Sequence, residues 1–245
     1  MKFSNKTALI TGAAVGIGRA VAMQLAENGA SVVLVDINAE KLEELKAELE
    51  SYSVEVLVYE CDVTNEEKVY EIVKDAEQKL GRIDILVNNA ALWRFHAPFV
   101  ETTTDHWRKL LDVNVMGVVY FTKAVLPKML ERGYGRIINV ASVAGVYGNI
   151  NMACYSATKA ALIAMTQSIA KEVTDKGVLV NSVSPGSVSP AENPDIDYTI
   201  PTELSFMGRT GSDRENANLI CFLASDDASY ISGQNIQIDG CRRRL

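Results

Sequence analysis

The chain is short of the residues that build metal centres and disulfide frameworks, with 4 cysteines and 2 histidines among 245 residues. Cys61, Cys154, Cys221 and Cys241 are scattered, form no C-x-x-C pair and have no histidine at ligand spacing. His96 and His106 fit neither H-E-x-x-H nor a facial triad. No metal site and no disulfide are expected, and four reduced thiols suit a cytoplasmic protein. Positive charge is scarce too: 24 Lys and Arg stand against 31 Asp and Glu, a formal net charge of -7. That excludes nucleic-acid binding as the main activity. No apolar run approaches the roughly 18 to 20 residues of a membrane span. The first strand-like run begins at Thr7, which leaves no room ahead of it for a signal peptide. With 6 Pro, 16 Gly and 48% apolar residues, the composition is that of one large globular domain.

What is present is alternation. Strand patterns run over Thr7–Thr11, Ser31–Asp36, Val54–Glu60, Ile83–Asn88, Arg136–Ala141, Val178–Ser184 and Ile236–Asp239. Helical patterns lie between them, near Gly16–Asn28, Ala39–Tyr52, Asn65–Leu80, Thr104–Glu131, Ala153–Thr174 and Asp213–Ala224. Runs such as SVVLV and IDILV are apolar at consecutive positions, as strands covered on both faces require. The alternation predicts an α/β fold: a doubly wound parallel sheet of about seven strands with helices on both faces. Ser187–Met207 breaks the rhythm, with Pro190, Pro194 and Pro201 crowded together. An irregular segment of that length inside one domain reads as a lid or binding loop, at about 187–207.

The first strand runs into Thr11-Gly12-Ala13-Ala14-Val15-Gly16-Ile17-Gly18. Gly12 permits the sharp turn, Gly16 lets backbone approach a diphosphate, and Gly18 lets helix and strand pack closely. The helix that starts near Gly16 offers free N–H groups and the positive end of its dipole. An acidic residue about 20 positions on completes the dinucleotide pattern. It is Asp36, and Asn38 is the better placed of the two to cap the following helix. A carboxylate there accepts both adenosine ribose hydroxyls of NAD and repels a 2′-phosphate. NADP would want a cation nearby, where the chain has Ala13, Ala14 and Ile37. The expected cofactor is NAD, held by this loop with Val15 and Ile17 and by Asp36 with Ile37.

Tyr155 and Lys159 stand four apart near a helix start and so share one face. A phenol with pKa near 10 is a poor base at neutral pH, and a neighbouring ammonium favours its ionised form. Ser142, just after the fifth strand, can donate to a substrate oxygen.

The glycine motif, Asp62 after the third strand, Asn88-Asn89-Ala90, Asn114, Ser142, Tyr155-x-x-x-Lys159 and Asn181-x-x-x-Pro185-Gly186 follow one another in order. In this set the whole chain closely resembles the short-chain dehydrogenase/reductase family in its compact, single-domain, Rossmann-type form. The resemblance implies a catalytic tetrad of Asn114, Ser142, Tyr155 and Lys159. Tyr155 would be the acid/base and Ser142 would steady the substrate oxygen. Lys159 would bind the nicotinamide ribose and tune Tyr155, and Asn114 would hold a relay water. Asp62 with Val63 would hold the adenine, and Asn89 and Ala90 would back the adenosine ribose. Pro185, Gly186, Val188 and Ser189 would lie at the nicotinamide. Three departures stand out: Ala91 where a fourth-position glycine is usual, Ser189 for threonine, and Asp213-Arg214-Glu215-Asn216-Ala217 for P-E-E-I-A.

The expected reaction is NAD-dependent hydride transfer between a secondary alcohol and its ketone, on a polyol, hydroxysteroid or other cyclic alcohol. The rivals are a 3-oxoacyl-acyl-carrier-protein reductase, a role usually run on NADPH with an acidic partner, and a dead dinucleotide sensor. Leu92–Ala97, Val143–Asn149 and the 187–207 segment should wall the pocket, with Trp93, Phe95, Tyr147, Tyr198 and Phe206 as apolar faces. Glu192, Asp195, Asp197 and Glu203 give the lid one sign of charge. Arg94, His96 and the terminal Arg242, Arg243 and Arg244 are the cations that can offset it. The family's habit of pairing its long helices, and the apolar circumference of Thr104–Glu131, point to a homotetramer.

Overall fold

The computed structural model describes residues 1–189 and 191–243, so Pro190 and Arg244 lie outside the described residues. Seven strands, β1 (Thr7–Thr11), β2 (Ser31–Asp36), β3 (Val56–Glu60), β4 (Ile85–Asn88), β5 (Gly135–Val140), β6 (Val178–Pro185) and β7 (Asn235–Ile238), form one parallel sheet. Its order is β3-β2-β1-β4-β5-β6-β7. The connections are α1 (Gly16–Glu27), α2 (Ala39–Leu49), α3 (Glu66–Leu80), α4 (Thr104–Leu111), α5 (Gly117–Arg132), α6 (Ala144–Tyr147), α7 (Ala153–Val173) and α8 (Asp213–Ala224).

Two-sided burial follows from the two-residue period of a strand. In β2, Val32 and Leu34 pack with Val21 and Leu25 of α1, Leu42 of α2 and Ile220 of α8. Val33 and Val35 face the other way, among Val69 and Ile72 of α3, Phe121 and Val125 of α5 and Val173 of α7. Polar alternation is absent because neither face meets water.

The strand order reverses between β1 and β4, and their carboxyl ends flank the crevice in which such sheets bind ligands. Asn38 caps α2, its side chain accepting from the Lys41 N–H at 3.0 Å. Asp36 is thereby left free of capping work.

The helix expected over Thr104–Glu131 is two helices joined by a π-turn at Asp112–Met116. Within Thr104–Arg132 one window of 18 residues reaches a mean hydropathy of 1.3, long and apolar enough by length and composition alone to cross a membrane, although the π-turn divides the stretch. Its Phe121, Val125 and Met129 are fully buried against the sheet, and 39% of the window is buried in all.

The irregular segment has an internal order that its sequence does not announce. Thr210 N–H donates to Ile200 C=O at 2.9 Å, Thr202 N–H to Gly208 C=O at 3.0 Å, and Ser189 N–H to Gly211 C=O at 3.1 Å. The C-terminal strip lies along it, with Phe206 N–H donating to Cys241 C=O and Arg243 N–H to Leu204 C=O, both at 2.9 Å.

Candidate active site

A cleft of about 940 Å³ opens at the carboxyl edge of the sheet. Gly12, Val15, Gly16 and Ile17 line one end with Asp36, Ile37, Asp62 and Val63, and Ser142, Tyr155 and Lys159 line the other. Asn89, Ala90, Pro185, Val188 and Ser189 lie between. Gly18, Gly186 and Asn114 are not part of the wall. The first two are close-packing positions: a Cβ on Gly18 would sit 2.0 Å from the Gly12 carbonyl oxygen, and one on Gly186 2.8 Å from Asp239 Cα.

Gly12 and Gly16 both have positive φ, +63° and +60°. A Cβ on Gly12 would lie 2.8 Å from Ala90 Cα, so only glycine fits the turn. Asn89 braces that turn, its Nδ2 donating to Gly12 C=O at 2.9 Å and Thr11 C=O at 3.2 Å. Thr11 Oγ1 in turn accepts from the Asn89 and Ala90 N–H groups at 3.0 and 3.1 Å. The N-terminus of α1 beyond carries no capping side chain and no acidic residue in its first turn, so its N–H groups stay available to an anion. This bare-backbone cradle fits a dinucleotide diphosphate.

Asp36 is fixed by the loop it faces, accepting from Ala14 N–H at 3.1 Å and Asn38 N–H at 3.0 Å. Asp62 accepts twice from Thr64, through N–H at 2.9 Å and Oγ1 at 2.8 Å, on the same oxygen. Among the described residues its other oxygen accepts no hydrogen bond.

At the opposite end, Lys159 is 2% exposed and donates to the Val140 carbonyl at 2.7 Å. Its Nζ lies 5.7 Å from the Tyr155 ring centre. Burial without an anion drives the Lys159 pKa down to about 7. Burial also pushes the Tyr155 phenol above its ordinary value, and a hydrogen bond with Ser142 works against that rise. Ser142 Oγ accepts from Ala144 N–H at 3.1 Å, which orients the hydroxyl into the cleft. A phenol, an amine and a hydroxyl thus line the same end of the cleft.

Asn114 is 0% exposed and sits in the π-turn. Its Oδ1 accepts from Leu92 N–H at 2.7 Å, while Nδ2 donates to Leu92 C=O at 3.0 Å and Thr158 Oγ1 at 3.1 Å. The side chain clasps the loop after β4, and both Nδ2 hydrogens are used there. π-Turns concentrate at functional sites, and this one shapes the cleft from behind.

Ser189 Oγ shares a 3.0 Å hydrogen bond with Thr210 Oγ1 and also bonds the Tyr198 carbonyl, tying the irregular segment to its base. Of the aromatic residues expected at the pocket, Trp93 reaches the cleft. Phe95 is stacked 3.7 Å from His106, Tyr147 donates to Gln237 Oε1 at 2.7 Å, and Phe206 lies under Arg243. Arg94 forms an ion pair across the mouth with Glu192. Arg242 donates to Asn149 Oδ1 at 2.7 Å, joining the C-terminal strip to the loop after α6. Ile200 lines the cleft from the 187–207 segment expected there, whereas Lys109 and Asp213 line it from outside every segment expected to do so. The one signal for Asp213 was its place in the departure from P-E-E-I-A.

Fold and cleft define a dinucleotide-type oxidoreductase. A family model described as enoyl-(acyl carrier protein) reductase matches residues 12–241. The 3-oxoacyl-(acyl-carrier-protein) reductase FabG of Thermotoga maritima is 41% identical over 98% of both chains. The 2-dehydro-3-deoxy-L-rhamnonate dehydrogenase (NAD(+)) of a Sphingomonas species is 35% identical over 98% of this chain and 96% of its own. A solved NAD+-bound xylitol dehydrogenase superposes with a TM-score of 0.91 at 35% identity, covering 98% of this chain and 100% of that one. Levodione reductase gives 0.89 at 34% identity over 97% of each. The chain belongs to the short-chain dehydrogenase/reductase family of oxidoreductases.

Proposed function

We propose that the protein is an NAD-dependent dehydrogenase/reductase acting on a secondary alcohol and its ketone. The observation that carries this reading is one cleft with Asp36 at its far end and the Ser142–Tyr155–Lys159 cluster at the other. The bound nicotinamide dinucleotide supplies the hydride acceptor or donor. Tyr155 takes the hydroxyl proton as phenolate, or returns it to the ketone oxygen as phenol. Ser142 donates to that same oxygen and holds it against Tyr155. Lys159, charged when a ribose and a phenolate are near, lowers the cost of ionising Tyr155 and binds the ribose hydroxyls. Asn114 positions the loop after β4, and any relay water rests on the π-turn backbone rather than on its occupied amide. Asp36 takes the adenosine ribose hydroxyls, flanked by Val15 and Ile37 in place of cations.

The segment 187–207 acts as the lid, with the Arg94–Glu192 pair as its contact to the opposite rim. The substrate is neutral or singly anionic. The protein works as a homotetramer, and four free thiols suit the cytoplasm. A sugar-acid dehydrogenase named for NAD(+) and an NAD+-bound polyol dehydrogenase among the relatives support this cofactor and substrate class. The 41% identity to a 3-oxoacyl-(acyl-carrier-protein) reductase supports a second reading, reduction of an acyl thioester. Initial rates for polyols, sugar acids and cyclic alcohols with NAD, against an acetoacetyl thioester with NADH and NADPH, decide between them. A thioester turned over with NADPH far faster than any alcohol with NAD would overturn the first reading.

A further inference from the structure

Asp213 is the first residue of α8, and its side chain is not spent on capping, which Ser212 and Glu215 perform reciprocally. It is 3% exposed, has no hydrogen-bond or ion-pair partner among the described residues, and lines the cleft. Its Oδ1 lies 3.7 Å from where a Cβ on Gly16 would stand, beside the backbone that cradles a diphosphate. An unpaired buried carboxylate is costly, and an anion binding alongside makes it costlier. A carboxylic acid, by contrast, has a proton to donate.

We propose that Asp213 is a diphosphate-side binding residue that takes up a proton when the dinucleotide enters the cleft. The inference rests on the dinucleotide reading above, and holds for NAD and NADP alike because both carry the diphosphate.

The surroundings are consistent with a titrating group. Burial lifts Asp213 to about 6, opposed by the charge of Arg19. Arg19 is the charged residue on the α1 side, and its guanidinium is engaged by Glu48 and by the Pro194 carbonyl. On the lid side, Glu192 is paired with Arg94 and Asp197 with Arg214. On α8 itself, Glu215 is paired with Arg209. Among the described residues, Arg19, Arg94, Arg209 and Arg214 each already have another partner, so none pairs with Asp213 against an incoming diphosphate. A neighbouring anion raises a carboxyl pKa, so binding takes up a proton above pH 6 and weakens as pH rises, by at most about tenfold per unit.

Titration calorimetry of the full-length protein with NAD and with NADP, at pH 6, 7 and 8 in two buffers of different ionisation enthalpy, tests this. Asp213→Asn mimics the protonated acid, and Asp213→Ala serves if that variant folds poorly. Lys159 also titrates in the cleft, but its share is common to every variant, so the difference isolates Asp213. The expected result is uptake of close to one proton more at pH 7 by the wild type than by the variant. The variant should bind at least tenfold tighter than the wild type at pH 8, with the gap closing at pH 6. Equal proton uptake and equal pH slopes would overturn the proposal. Tight NADP binding with the Asp213 difference intact would refute the NAD assignment and leave this inference standing.

Discussion

Lys159 Nζ stands 5.7 Å from the centre of the Tyr155 ring, and the same nitrogen is anchored to a backbone carbonyl of β5. The ammonium is therefore held at a fixed distance from the phenol rather than paired with it. Tyr155→Phe keeps the ring and its packing but removes the proton. Turnover should fall about 10²–10⁴-fold while calorimetric binding of NAD is kept. Near-normal rates in that variant would refute the acid/base assignment.

The same burial sets a stability price on the site. Lys159 titrates near 7 in the fold against an ordinary 10.5, so the unfolded chain binds more protons between those values. Stability therefore rises with pH across that window, and the penalty is greatest below pH 7. Lys159→Met removes the buried charge but leaves the Val140 carbonyl without its donor, a cost of about 1–3 kcal/mol. The variant should gain a few degrees in Tm over the wild type at pH 6, losing that advantage towards pH 10, and should be inactive. A Tm difference that does not change with pH would contradict the buried-charge account.

Much of this architecture is legible in the sequence. β1 and β2 begin and end where their patterns do, because consecutive apolar residues bounded by turn formers leave one solution. The bounds of α8 match too, its start fixed by the Ser212–Glu215 capping box. β3 and β4 start two residues later than their apolar runs, at Val56 and Ile85. Ile83 is fully buried yet unpaired in the ladder, and burial is what an apolar pattern reports. The π-turn was invisible, since it depends on Asn114 reaching Leu92 from a distant part of the chain. The short α6 and the stacking of Phe95 on His106 are likewise tertiary outcomes. Asp213 looked like a variation in a helix start; only the approach of α8 to Gly16 gives it a neighbour worth titrating against.

The proposed preference for NAD turns on Asp36. Its two backbone hydrogen bonds hold the carboxylate in place with Ala14, Val15 and Ile37 around it. NAD should be preferred over NADP by at least tenfold in kcat/KM, about 1.4 kcal/mol of discrimination. Asp36→Ala with Ile37→Arg should reverse the preference. Equal use of both cofactors by the wild type would show that Asp36 does not face the ribose.

Asn114→Ala leaves both polar groups of Leu92 without their partner inside a buried clasp. A loss of about 2–4 kcal/mol in unfolding free energy is expected, with faster hydrogen exchange at residues 90–93. Asn114→Asp restores the acceptor to Leu92 N–H but not the donor, and should recover part of the loss. If exchange at that loop is unchanged in the alanine variant, the clasp does not hold it.

The proposed lid carries four carboxylates, and the structure engages them unequally. Asp197 is neutralised by Arg214, and Asp195 is turned to the N–H of Asp197. Glu192 meets Arg94 at the mouth, where both side chains are more than half exposed. Such a pair contributes about 0–1 kcal/mol, so losing it should change KM for a neutral alcohol by no more than about fivefold. Its effect on charged substrates should be larger in one direction only. Arg94→Ala leaves Glu192 uncompensated, so a phosphate ester should be rejected more strongly than by the wild type. Glu192→Gln leaves Arg94 free and should relax that rejection. Both changes should shrink as salt is raised, because the groups lie within a Debye length of solvent. The comparison is kcat/KM for an alcohol and its phosphate ester, in the three proteins, at low and high salt. A wild type that favours the phosphate ester at low salt would show that the lid's net charge does not reach the substrate.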